Sequence, residues 1–165
     1  MDQDTAQTPP ADPAELTRFI ETRYHARHRA QLAALIPLAE KVQTVHYGDE
    51  NVPMGLIDLL EFLRGEMEVH MKKEELILFP AIRRGGMPGI VAPIAAMRAD
   101  HDDHGRDIAE IRRLTHDLAL PEGACRSWAA LYDGVDAFLA DLQAHIRLES
   151  EVLFPQFECE APAHG

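Results

Sequence analysis

The chain has 165 residues, 46% of them hydrophobic and 27% charged, the profile of one globular domain that buries roughly 70% of its unfolded surface and needs no disulfide staple. Its two cysteines, Cys125 and Cys159, stand well apart in no CxxC pair, which excludes a thiolate zinc site and a disulfide framework. The formal charge of -12, from 28 acidic against 16 basic side chains, repels phosphate backbones and anionic lipid, so nucleic acid and membrane are not expected partners.

Residues 1–12 are polar and proline-bearing and are expected to form a flexible tail, with a second short tail at 159–165. No apolar run approaches the ~18 residues of a membrane span. The opening segment has neither the basic start nor the apolar stretch of a secretion signal, so the expected location is the cytoplasm.

Between the tails, 13–158 reads as one domain. Leu16, Ile20, His25, His28, Leu32, Leu35, Ala39 and Val42 mark a helical stripe over about 14–45. Pro37 inside it should kink the helix or remove one backbone bond. The turn-rich segment from Tyr47 to Pro53 stops it.

A second stripe runs through Ile57, Leu60, Leu63, Met67, His70, Glu74, Ile77 and Ala81, and ends at Arg83-Arg84-Gly85-Gly86. Cations there complement the helix dipole, and glycine accepts the left-handed cap. A third stripe comes next, with Ile94, Met97, His101, His104, Ile108, Ile111 and Thr115. The fourth carries Trp128, Leu131, Val135, Phe138, Leu142, His145, Glu149 and Val152. Four amphipathic helices of about 28–34 residues, joined by loops of roughly four to eight, predict an all-α, up-down-up-down antiparallel four-helix bundle.

The sequence repeats itself. Residues 66–80 and 141–155 both fit acid-x3-His-x3-Glu-x4-Phe-Pro, so His70 and Glu74 recur as His145 and Glu149, 75 positions later. Upstream, His25-Ala-Arg-His28 and His101-Asp-Asp-His104 share a His-x2-His pattern at an offset of 76. The bundle is therefore expected to be two similar hairpins about an internal pseudo-two-fold axis.

Residues four apart share a helix face, so each His-x3-Glu pair points one way, on the apolar stripe and toward the interior. Two ionised carboxylates and at least four imidazoles in one core need compensation, which a pair of divalent or trivalent cations supplies. Imidazole and carboxylate without thiolate suit iron or manganese. A lone histidine on such a stripe is ordinarily a core residue; the joint recurrence is what favours a metal site.

Reach limits the set. His46 lies 21 residues beyond His25, ~31 Å along a continuous helix, so it is left out as a ligand unless the chain reverses near Pro37. His28 and His104 either orient ligands from outside the metal shell or are plain core residues. Glu66 and Asp141, four before the ligand histidines, either accept the second imidazole proton or are solvated flanks. Tyr24 and Asp100 are expected to line the approach, His116 and His164 to sit on the surface, and Trp128, Phe138 and the methionines to fill the core. The Phe79-Pro80 and Phe154-Pro155 pairs should pack the bundle end and terminate the helices.

The stretches Arg23-Tyr-His-Ala-Arg-His-Arg29, His70-Met-Lys-Lys-Glu-Glu-Leu-Ile-Leu-Phe-Pro80, His101-Asp and His145-Ile-Arg-Leu-Glu-Ser-Glu-Val-Leu-Phe-Pro155 resemble the hemerythrin-like (HHE) di-iron family. Over Phe19 to Phe157 the chain is similar to the di-iron domain of the repair-of-iron-centres proteins. The resemblance implies two iron ions with His25, His70, His101 and His145 as terminal ligands and Glu74 and Glu149 bridging beside an oxo or hydroxo group. It implies a role in the nitrosative and oxidative stress response, binding or reducing nitric oxide and helping repair iron-sulfur clusters, with iron-sulfur proteins as iron acceptors.

The alternatives are a module that binds or senses a diatomic gas (oxygen or nitric oxide) without turnover, and a di-iron peroxidase or ferroxidase. Two departures from the family pattern stand out. Gly105 occupies the position where oxygen carriers have a further histidine. The N-terminal domain with a cysteine pair, common in the repair proteins, has no counterpart in this sequence.

Overall fold

A computed structural model of the chain describes residues 8–159, and among them it holds four long helices and no strand. Helix α1 covers 13–45, α2 56–83, α3 91–114 and α4 126–153, the last continued after Phe154 by one turn, Pro155–Glu158. Residues 1–7 and 160–165 of the expected tails, and with them His164, lie outside the described residues. No helix among the described residues is long and apolar enough to cross a membrane.

Local chemistry sets the helix ends. The Asp12 carboxylate accepts from the Glu15 N–H at 3.0 Å and Pro13 occupies the first helical position, an N-terminal cap that satisfies an orphan donor. At the end of α2, Gly86 N–H donates to Ala81 O and Gly85 N–H to Ile82 O, both at 2.9 Å. Gly86 has φ 113, a conformation open to glycine. Helix α1 continues through Pro37, so the chain does not reverse there.

Two expectations need correction. Helix α3 has 24 residues, short of the expected length. It stops where Thr115 Oγ1 turns back onto Ile111 O at 2.8 Å, and His116, Asp117 and Leu118 come next in the left-handed region. The connections 46–55 and 115–125 are longer than expected because they are folded parts of the structure. Asn51 N–H donates to Asp49 Oδ1, Val52 is buried, and Leu118, Ala124 and Cys125 pack on the core.

Cross-contacts give the register. Arg83 meets Thr17 and Glu21, His25 meets Glu74, and Arg29 meets Glu68, so α1 and α2 run antiparallel. Helices α1 and α4 do the same, His28 against His145 and Leu35 against Gly134. A Cβ at Gly134 would lie 2.7 Å from Leu35 Cδ2, so glycine permits this close approach.

The apolar core is in two parts. One, with Leu32, Leu60, Trp128 and Phe138, fills the end near the 46–55 loop. The other, with Leu16, Ile20, Phe79, Ile94 and Phe154, fills the opposite end. Between them every helix contributes a buried polar pair: His25 and His28, His70 and Glu74, His101 and His104, His145 and Glu149. Met67, Met71 and Met97 are buried as expected, but Met87 is half-buried and Met54 is exposed.

The stripe expected on α2 and α4 fails just beyond the glutamates, although Ala81 is buried as expected. Ile77 and Val152 are 57% and 43% exposed, while Leu78, Phe79, Leu153 and Phe154 are buried. The cause is one wide turn in each helix, in which Phe79 N–H bonds to Glu74 O and Phe154 N–H to Glu149 O. A π-type turn inserts an extra residue and rotates the rest of the helix about its axis. The Phe-Pro pairs therefore do not end the helices: α2 continues to Arg83 and α4 gains its last turn. A third such turn, in which Ala26 N–H bonds to Glu21 O, ends at His25.

Candidate metal centre

In the polar layer the ring nitrogens and carboxylate oxygens converge. Glu74 Oε1 lies 3.1 Å from His25 Nε2, 3.2 Å from His70 Nε2 and 4.0 Å from His145 Nε2. Glu149 Oε1 lies 2.8 Å from His101 Nε2 and 3.9 Å from His70 Nε2, and its Oε2 lies 3.0 Å from His145 Nε2. Two overlapping donor sets result: His25, Glu74, His145 and Glu149, and His70, His101 and Glu149, each with donor atoms within 4.8 Å of one another. The six side chains predicted as ligands come together from all four helices.

The residues fit a cation on an independent count. His70 Nε2, Glu74 Oε2, His145 Nε2 and Glu149 Oε2 are buried and have no hydrogen-bond partner. Four orphaned polar atoms in one layer, close yet not aligned for hydrogen bonds, are what a coordinated ion would satisfy. All are nitrogen or oxygen donors, suited to iron or manganese and not to a soft-metal site.

Electrostatics point the same way. Burial and the neighbouring Glu149 charge drive the Glu74 carboxyl well above its usual range. Burial alone would lower His70, but the charges of Glu74 and Glu149 carry it up to about 11. The field of the two buried acids thus attracts positive charge to the centre of the layer.

Each of the four imidazoles is also held at its far nitrogen. His25 Nδ1 is 2.8 Å from Glu75 Oε2, and His70 Nδ1 is 3.0 Å from Asp100 Oδ2. His101 Nδ1 is 3.0 Å from Ser150 Oγ, and His145 Nδ1 is 3.0 Å from His28 Nε2. A carboxylate only accepts, so the His25 and His70 rings donate there from Nδ1. His25, which burial pushes down to about 4, turns a lone pair inward, and at His70 a bound cation would take the place of the second ring proton. Although partial burial opposes it, hydrogen bonds from Arg29 and His25 hold Glu75 below the usual carboxylate range. Arg29 in turn spans Glu75 and Glu68.

These partners decide between the two readings of Glu66 and Asp141, since neither acid holds one of the four imidazoles. Glu66 is exposed, and Asp141 is engaged by Arg23, Arg27 and Gln31. The acceptors come from neighbouring helices because Nε2 already faces the glutamate one turn along, which aims Nδ1 across the bundle. Asp100 is therefore bonded to a candidate ligand, and Tyr24 stacks on His145 at 5.5 Å. His28 bonds to His145. His104 packs its ring 5.1 Å from His70, and no hydrogen bond joins them. Burial keeps both unprotonated, pushing His28 down to about 2 and His104 to about 3.

His46 stands apart at the far end of α1, its ring 4.7 Å from Trp128. His116 is exposed. Sequence reasoning also missed the two phenylalanines: Phe79 stacks on His25 at 5.7 Å and Phe154 on His101 at 5.8 Å. The duplication held that signal, because both belong to the repeated Phe-Pro.

The pattern of the hemerythrin HHE cation binding domain matches residues 19–157. The iron-sulfur cluster repair protein YtfE of Pectobacterium carotovorum subsp. carotovorum (strain PC1) is 46% identical over 143 residues, 87% of this chain and 65% of that protein. YtfE of Edwardsiella ictaluri is 46% identical over 142 residues, 86% of this chain and 64% of its own length. A probable iron-sulfur cluster repair protein of Haemophilus influenzae is 44% identical over 143 residues, 87% and 64% of the two chains. The chain thus spans about 65% of the length of these curated relatives.

Proposed function

The chain belongs to the hemerythrin HHE cation binding family, and from that premise we propose that it is a non-haem di-iron protein of the nitrosative and oxidative stress response. In this reading residues 13–158 are the functional unit, acting in the cytoplasm, binding or reducing nitric oxide and helping repair damaged iron-sulfur clusters in partner proteins. The repair role is drawn from the names of its relatives. The metal reading is carried by one observation, the four buried, unsatisfied donor atoms that converge in a single layer.

His25, His70, His101 and His145 would be terminal ligands and Glu74 and Glu149 would join two ions. What supports this is that each carboxylate lies within 4.0 Å of an imidazole from both donor sets. A ferrous pair bound there would supply a redox-active Lewis acid able to take up a diatomic gas.

The protein's own groups prepare that chemistry. Glu75 and Asp100 hold a proton of His25 and His70 on Nδ1, so Nε2 is the nitrogen each ring would offer to an ion. Arg29 keeps Glu75 ionised and fixed. Phe79 and Phe154 cover the outer faces of His25 and His101 and exclude water from them. With Gly105 in place of a further imidazole, the layer has fewer donors than an oxygen carrier, which favours reactivity or iron release over storage.

The test is restoration of a nitric-oxide-damaged iron-sulfur enzyme by the reduced, iron-loaded protein. Recovery of activity is expected with the natural sequence and none with Glu74→Ala. Reversible gas binding without any recovery would overturn the repair reading and leave a gas-binding module.

A further inference from the structure

The two donor sets differ at one edge: His25, His145 and His70 are 0%, 2% and 3% exposed and His101 is 6%. The first set offers four mutually close donors and the second three. Helix packing explains the difference. Helix α1 lies tightly along both α2 and α4, whereas α3 lies along α2 and only sparsely along α4 before meeting the last turn, 155–158.

A cleft of about 390 Å³ occupies the space between α3 and α4, lined by His101, Gly105, Gln143, Arg147, Ser150 and Glu151. It reaches the second donor set directly, at His101 and at the Ser150 hydroxyl that holds its ring. Ile108 and Ile146 complete its lining, and the polar groups among the rest, Gln143, Arg147, Ser150 and Glu151, suit a hydrated cation or the small polar ligand that removes one.

Gly105 is the unusual element in this wall. It lies inside a helix, where glycine is disfavoured, and nothing in the packing demands it: a Cβ there would meet no heavy atom within 4 Å. Gly134, by contrast, has Leu35 against it. One turn beyond His101 and on its side of α3, a larger side chain at 105 would project into the cleft.

We propose that the cleft over Gly105 is the route by which the ion held by His70 and His101 leaves and enters, so that this position exchanges iron while the one held by His25 and His145 retains it. The inference rests on the di-iron reading and deepens it: the chain donates one ion per cycle, from a defined half of the centre. Arg147 and Glu151 stand at the mouth, and the Ser150 hydroxyl can release His101 Nδ1 without moving a buried charge. On the other side a cleft of about 220 Å³ stops at Tyr24, which stacks on His145, and His25 is held by the Glu75–Arg29 network and capped by Phe79.

Timed iron removal tests this. The iron-loaded, reduced protein is mixed with a soluble bipyridine chelator and the coloured ferrous chelate is followed. Two phases of equal amplitude are expected, and a single phase would overturn the inference. Gly105→Leu should slow the fast phase severalfold and leave the slow phase, the iron content and the melting temperature unchanged. Gly105→Ala should give a smaller slowing, and it keeps the comparison available if leucine disturbs the fold. Gly65→Leu, at an exposed α2 glycine with equally open surroundings, should change neither phase. An unaltered fast phase in both Gly105 variants, or equal slowing at Gly65, would overturn the proposed route. His101→Ala should bind one iron that leaves only slowly; a remaining ion that leaves fast would reverse the assignment. If the natural protein carries no iron pair at all, the di-iron reading fails before any release is timed.

Discussion

Removing the bound metal should lower the melting temperature of the protein by about 10 °C. A ligand that binds only the folded chain stabilises it by about 4 kcal/mol at a thousandfold excess over its dissociation constant, and for a chain of this size each kcal/mol shifts the midpoint by about 2–4 °C. The direction follows from the layer itself. Glu74 and Glu149 are fully buried and share one site, with only imidazoles to compensate them. Without a cation their mutual repulsion and desolvation oppose folding. Calorimetry before and after chelation measures the shift. An unchanged midpoint would mean that the two acids do not face a common ion.

Substitution at the proposed ligand histidines should have the next largest effect, and it separates site from scaffold. His70→Ala and His145→Ala each remove a nitrogen in contact with a buried glutamate and should lose most of the iron found in the natural protein. His46→Ala should lose none. His46 caps the far end of α1 beside Trp128, and Trp128 lies 17 residues before His145 on α4, roughly 26 Å along the helix. Elemental analysis of the three purified variants reads the result directly. Equal losses from all three would place His46 at the centre and contradict the geometry.

How much of this was legible in the sequence differs by level. Helical stripes mark the four rods because burial imposes a 3.6-residue period. The duplicated His-x3-Glu marks the inward glutamates because four residues make about one turn. What the sequence withheld is what depends on contacts between helices. The Nδ1 partners Glu75, Asp100, Ser150 and His28 are fixed by the packing of one helix against another. Spacing within one helix pointed to Glu66 and Asp141 instead.

The wide turns starting at Glu74 and Glu149 were also hidden. A single inserted residue leaves the periodicity before it intact and shifts only the residues after it, so Ile77 and Val152 read as core and face solvent. The repeat held more than the ligands, however. Glu75 and Ser150 sit directly after the two glutamates and bond to His25 and His101. Tyr24 and Asp100 precede two histidines and meet His145 and His70. Position repeats between the two halves while chemistry does not.

The quantity closest to the centre itself is the metal content of the purified protein, read with the optical spectrum of its oxidised form. If the six converging side chains are the ligands proposed, about two iron ions per chain with the absorption of a bridged ferric pair are expected. A folded, iron-free protein that takes up no ferrous ion when supplied with it would contradict the assignment.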